Sequence, residues 1–190
     1  MEQNTVLQQM LDPSVAHLSH VIGFFGNRYQ FWIRELAMMP VHVDWYNEPH
    51  RISHFVFQQP IPENLLHSDA RVRYQRFVTL SRLEWDAGII PTRIESPERL
   101  LGIMPGQRIY CYTPFIANIC QQLFPTVKVF DIQDIENVNI KEYPSEEWTC
   151  PFPPHNPKPA KCVMKGLSRM YNWFYTEPNS QVTVEYESEQ

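Results

Sequence analysis

Apolar positions along the chain fall into two periods, and the switches between them outline the elements. Asp12-Pro13 is a helix start, an N-cap acceptor followed by proline. Val15, Leu18, Ile22 and Phe25 then follow at i, i+3, i+7 and i+10, one face of a helix. Trp32, Leu36 and Met39 continue that period to Pro40, with Arg28, Arg34 and Glu35 turned to water. The pattern predicts helices over 13–39. From Val41 to Phe57 the period becomes two. A turn at Asn47-Glu48-Pro49-His50 puts Val41, Val43, Trp45, Ile52, His54 and Val56 on one face of a hairpin, and His42, Asp44, Tyr46, Arg51, Ser53 and Phe55 on the other.

Helical spacing returns after Ser68. Tyr74, Phe77, Val78, Ser81 and Trp85 make an inward stripe on a helix from Asp69 to Ala87, closed by Gly88. A brief helix opens at Ser96-Pro97 and runs through Leu101. Residues 108–132 then read strand, helix, strand. Arg108–Tyr112 is rich in β-formers, Thr113 offers an N-cap hydroxyl and Pro114 sits at the first helical position. Ile116, Ile119, Cys120 and Leu123 form the buried face, Pro125 stops the helix, and Val127, Val129 and Ile132 mark the second strand. A crossover of this length suits a parallel pair.

Five prolines between Pro151 and Pro159 exclude regular helix or central strand and predict a stiff, extended spacer. Beyond it, Val163, Leu167, Met170, Tyr171 and Phe174 define an amphipathic helix. Val182, Val184 and Tyr186 alternate with polar residues as a terminal strand. The fold class expected is α/β or α+β, a mixed sheet around a βαβ unit (108–132) with a β-hairpin (41–58), packing helices and a C-terminal helix-plus-strand arm. Residues 1–148 form the globular core domain, 149–160 the spacer, and 161–190 the docking helix and terminal strand.

Composition changes this picture little. Of 190 residues, 43% are hydrophobic and 13% aromatic, enough for a substantial core. Six glycines leave few places for phosphate-cradling loops. The net charge of −5 lies wholly in residues 131–190, where five basic residues meet ten acidic ones. A general attraction to nucleic acid is therefore not expected. The first residues lack the pattern of a secretory signal, and the uncharged run Pro13–Asn27 is too short to span a bilayer. The expectation is a reduced, cytoplasmic protein or one inside an assembled particle, neither secreted nor membrane-bound.

Several side-chain groupings invite chemistry. His42, Asp44 and Ser53 share a hairpin face, but no elbow or oxyanion turn adjoins Ser53. His54 sits among apolar neighbours, as a core histidine bonded to backbone does. His17 and His20 are i, i+3 on the first helix, with no carboxylate at matching spacing. Cys111 and Cys120 read as small core residues. Cys150, His155 and Cys162 are spaced C-x4-H-x6-C, looser than the C-x2-C pairs of structural zinc sites, so neither metal nor cofactor is expected. The first βα turn, Tyr112–Phe115, has no glycine where a dinucleotide fingerprint needs one. That leaves Thr113 and Asp131 as weak catalytic candidates at the strand ends.

The arm carries the functional expectation. Lys161, Lys165 and Arg169 line one side of its helix, Trp173 and Phe174 close it, and Val182, Val184 and Tyr186 offer an apolar strand face. Stiff spacer, amphipathic helix and alternating strand suit docking on another subunit, in a homo- or hetero-oligomer. The reading is a non-enzymatic assembly or adaptor protein working through protein contacts in a multi-subunit complex, of which a virus or phage particle is one kind. Its rivals are an enzyme acting on a nucleotide or phosphorylated substrate near Thr113 and Asp131, and an RNA-binding module using the arginines of 71–99 with Tyr74.

Overall fold

In the computed structural model, which describes residues 16–91, 97–136, 139–145, 149–155 and 158–176, a mixed five-stranded sheet carries helices on both faces. The strands are β1 (Ala16–Phe25), β2 (Phe31–Pro40), β3 (Ser53–Val56), β4 (Arg108–Cys111) and β5 (Lys128–Asp131). The main helices are α1 (Ser68–Ser81), α2 (Pro97–Leu101), α3 (Pro114–Leu123), α4 (Ile132–Glu136) and α5 (Val163–Thr176). Across the sheet the order is β3-β2-β1-β4-β5. The first three strands run antiparallel, and β1, β4 and β5 run parallel to one another. The fold is α+β.

Burial alternates along the strands and separates two cores. Leu18, Ala37, Met39 and Tyr110 pack with α1 and α5, while Val21, Leu36, Met38, Ile109 and Cys111 pack with α3. Successive strand side chains point to opposite faces, so the sheet is the middle of three layers.

That arrangement explains the largest departure from the sequence reading. Residues 16–40 form a β-hairpin, not helices. A strand covered on both faces has no polar side, so its apolar positions cease to alternate and can imitate a helical stripe. Gly23 marks a bulge where the β1–β2 register shifts, and a Cβ there would run into the carbonyl oxygen of Trp32. The hairpin turn holds Arg28 and Tyr29 at φ 53° and 56°, a left-handed conformation uncommon outside glycine.

The hairpin expected at 41–58 is displaced for a related reason. Ser53–Val56 does form a strand, but it pairs with Glu35–Met38 of β2. Residues 41–52 instead wrap the end of α5: Trp45 lies against Tyr171, and Tyr175 donates its hydroxyl to the Val41 carbonyl at 2.7 Å. Helix α1 ends at Ser81, six residues early, with Arg82 left-handed at φ 58°. Trp85 still packs on Tyr74, from the loop that follows. The βαβ unit matches its sequence reading: β4 and β5 are adjacent and parallel, with α3 crossing over them.

The arm helix is part of the molecule's own core. Its apolar stripe, Val163, Leu167, Met170, Tyr171 and Phe174, packs on β1 and β2. The proposed terminal strand, with Val182, Val184 and Tyr186, lies outside the described residues, as do residues 13–15 of the proposed first helix. Among the described residues, no helix is long and apolar enough to cross a membrane.

Candidate metal centre

Glu35 stands in the apolar run Phe31–Met39 and is fully buried. A buried carboxylate needs partners. Its alternation with Leu36 and Met38 puts it on the α5 face of the sheet, and β3 places His54 beside it. The β2–β3 register pairs Ala37 with His54 and Glu35 with Val56. His54 Nε2 lies 2.8 Å from Glu35 Oε1. The other carboxylate oxygen accepts the Val163 N–H at 3.4 Å, at the first residue of α5. A helix N-terminus favours a negative charge there.

The proline-rich segment supplies the rest. Its described residues 150–155 turn instead of extending as a spacer. Pro153-Pro154-His155 makes a 3-10 turn, the His155 N–H bonds the Phe152 carbonyl at 2.9 Å, and His155 is 2% exposed. This turn brings His155 Nδ1 to 3.3 Å from Cys150 Sγ and 3.6 Å from Glu35 Oε1. Cys162, immediately before α5, completes the group. One donor atom from each of Glu35, Cys150, His155 and Cys162 lies within 4.8 Å of every other. Cys150 Sγ is also 3.9 Å from His54 Nε2.

The electrostatics follow from this crowding. The hydrogen bond from Cys162, helped by His155 and His54, overcomes burial and lowers the Cys150 thiol to about 3. Cys162, donating that bond while buried and near Glu35, is shifted well upward. Burial opposes a charged His54, yet its bonds to Cys150 and Glu35 prevail and raise it to about 9. The pocket thus favours negative charge on Cys150 and offsets part of it with an imidazolium.

The contacts of His155 suit a tetrahedral ion. Zinc–sulfur bonds of ~2.3 Å and zinc–nitrogen bonds of ~2.0 Å imply ligand-to-ligand separations of roughly 3.3–3.8 Å. The 3.3 and 3.6 Å contacts of His155 are of that size. Two sulfurs with an imidazole and a carboxylate favour zinc over the hard cations magnesium and calcium. Four protein donors leave no open position, which is the form of a structural site rather than a catalytic one. His54 then holds the Glu35 carboxylate in place, as outer partners of metal ligands do.

The sequence-based expectation of no metal rested on the loose C-x4-H-x6-C spacing. That argument missed a fourth donor supplied by a distant strand. The available signal is Glu35 itself, the one acid between Phe31 and Met39, which helical spacing turns to water and the strand turns inward.

The other candidates are placed elsewhere. Thr113 Oγ1 accepts the Ile116 N–H at 3.3 Å, the cap foreseen for α3. Asp131 Oδ1 accepts the N–H groups of Thr113 and Gln133 at 2.9 and 3.0 Å, and burial raises its pKa. Asp44 is spent on its own turn, accepting from Tyr46 and Asn47, and His42 meets Arg51 at 2.9 Å. His17 and His20 lie on β1 rather than on a helix. Cys111 and Cys120 are buried together in the α3 core. Of the arm residues, Trp173 and Phe174 are 3% and 4% exposed, against the sheet rather than free for a partner. Lys161, Lys165 and Arg169 are half-buried, and the Lys161 ammonium lies over the Phe77 ring. Tyr74 is buried, so it is closed to a nucleic-acid base.

Comparison of the chain with family models, with curated proteins and with solved structures finds no match to any of them.

Proposed function

We propose that this protein is a zinc-stapled, non-catalytic module that works through protein contacts. The observation that carries the metal part is the closed donor set of Glu35, Cys150, His155 and Cys162, buried between the sheet and the start of α5. The ion ties three distant parts of the chain together: strand β2, the proline-rich turn and the helix α5. It stabilises the platform and leaves its outer surface for recognition. An exposed aromatic corner supports the contact part. Phe25 and Phe115 are 39% and 41% exposed and pack with Phe31 at ring separations of 4.9–5.6 Å. Aromatic clusters of this kind are over-represented at interfaces. The enzyme reading at Thr113 and Asp131 loses support, since the Thr113 hydroxyl and one Asp131 oxygen are committed to capping backbone.

Elemental analysis of the purified full chain should find one zinc per molecule. Cobalt exchanged into the site should show the absorption bands of a tetrahedral thiolate complex, and Cys162→Ser should abolish both. A metal-free chain whose unfolding is indifferent to zinc and to chelator would overturn the metal part. For the contact part, light scattering should give a defined oligomer or a stable complex that Phe115→Glu weakens. A monomer of 22.5 kDa at all concentrations, with no partner retained, would remove it.

A further inference from the structure

Four cysteines are present, and the fold treats one of them differently. Cys111 and Cys120 are 0% exposed and Cys162 is 3% exposed. Cys150 is only partly buried and lies in the wall of a cavity of about 150 Å³, with Trp45, Pro49, Ile52, Thr149, Pro151 and Met164. A water molecule's share of liquid volume is about 30 Å³, so the space admits a small polar molecule beside this residue. On its inner side Cys150 faces Cys162, whose sulfur is within 4.8 Å. A half-buried cysteine at a cavity wall, backed by a buried one, is the layout of an attacking thiol with a resolving thiol.

We propose that Cys150 is an oxidation site for small hydroperoxides, and that its reaction forms a Cys150–Cys162 disulfide and expels the metal. The proposal rests on the zinc reading for the expulsion, while the disulfide depends on the thiol geometry alone. The Cys150 thiolate attacks the terminal peroxide oxygen, the O–O bond breaks, and the alkoxide or hydroxide leaves, taking a proton from water to become alcohol or water. The sulfur is then a sulfenic acid. The Cys162 sulfur attacks it, the S–S bond forms, and hydroxide departs to become water. Two thiols lose two electrons, and the peroxide gains them. With both sulfurs in one disulfide, only His155 and Glu35 remain as strong donors, too few to hold a tetrahedral ion. A reductant restores the thiols and lets zinc return.

The test treats the zinc-loaded full chain with hydrogen peroxide, followed by intact-mass and non-reducing peptide analysis and by a chromogenic zinc chelator. The expected result is the loss of two hydrogen masses, mapped to Cys150 and Cys162, with one zinc released per disulfide and both changes reversed by dithiothreitol plus zinc. Cys162→Ser should trap the sulfenic acid on Cys150, detectable with dimedone. Cys150→Ser should reduce dimedone labelling at least about tenfold. A zinc-loaded chain that keeps its metal and its thiols in excess peroxide overturns the proposal and leaves the zinc reading standing. A disulfide mapping to Cys111 and Cys120 also overturns it. A chain that holds no zinc yet forms the Cys150–Cys162 disulfide supports the oxidation site and removes the metal. Because the wild-type mapping needs no variant, a misfolded substitution does not blunt the result.

Discussion

The βαβ unit, β4-α3-β5, and the segment from Cys150 to the start of α5 differ in where their instructions lie. The first is written locally. Thr113 and Pro114 start its helix, Ile116 and Cys120 give it a buried face, and the strands on either side pair with each other. Among its described residues the second has a single 3-10 turn and no longer helix or strand of its own. Its shape comes from Glu35 and His54 on β2 and β3, from the sheet beneath α5, and from the ion proposed between them. Local capping and periodicity can be read from a window of residues, whereas a site made of three distant segments is an event of tertiary folding.

Removing the metal should separate the two regions most strongly. In a metal-linked fold, binding energy is folding energy, so chelation or Cys162→Ala should cost on the order of 5 kcal/mol. Hydrogen exchange should rise first in residues 149–176 and least in β4-α3-β5. Equal loosening of both would dissolve the distinction.

Acid should sharpen it with a smaller effect. His20 lies on β1 under Gly166 of α5, where a Cβ would collide with its ring. Burial, with Lys161 nearby, lowers His20 from 6.5 to about 4. The folded chain thus resists a proton that the unfolded chain accepts. The part of the stability that depends on His20 is complete above pH 6.5 and falls as the pH drops toward 4, by up to about 3 kcal/mol. His20→Asn should flatten that part of the denaturation-versus-pH curve. An unchanged slope would show that His20 is not responsible. Gly166→Ala, at the same contact, should cost about 2 kcal/mol by forcing α5 off the sheet. An unchanged urea midpoint would mean that α5 has slack there.

The smallest effect belongs to the region that is locally encoded. Thr113→Ala should cost about 1 kcal/mol, the worth of a helix cap, and leave zinc content unchanged. A loss of zinc in this variant would show that the two regions are coupled.

Legibility followed the same division. The N-cap at Thr113, the face of α3, the strands beside it and the buried stripe of α5 were all visible, because each is set by neighbours within about one or two helical turns. The β1–β2 hairpin was not. Leu18, Ile22, Trp32 and Leu36 hold helical spacing only because both faces of those strands are covered. Trp173 and Phe174 looked like anchors for a partner because a sequence shows that a helix has an apolar face, not what covers it. Cys150, His155 and Cys162 lack a tight pair in sequence, and their fourth partner, Glu35, lies more than a hundred residues away.

The sequence by itself determined the local grammar: where α3 and α5 lie, which faces they bury, and that a parallel crossover joins residues 108–131. Only the tertiary structure decided that residues 16–40 are strands, that the arm's helix belongs to its own sheet, and that Glu35 meets two cysteines and a histidine. The physical reason is range. Caps and periodic faces are interactions between residues close in the chain. Two-sided burial and convergent ligands exist only once distant segments have been brought together.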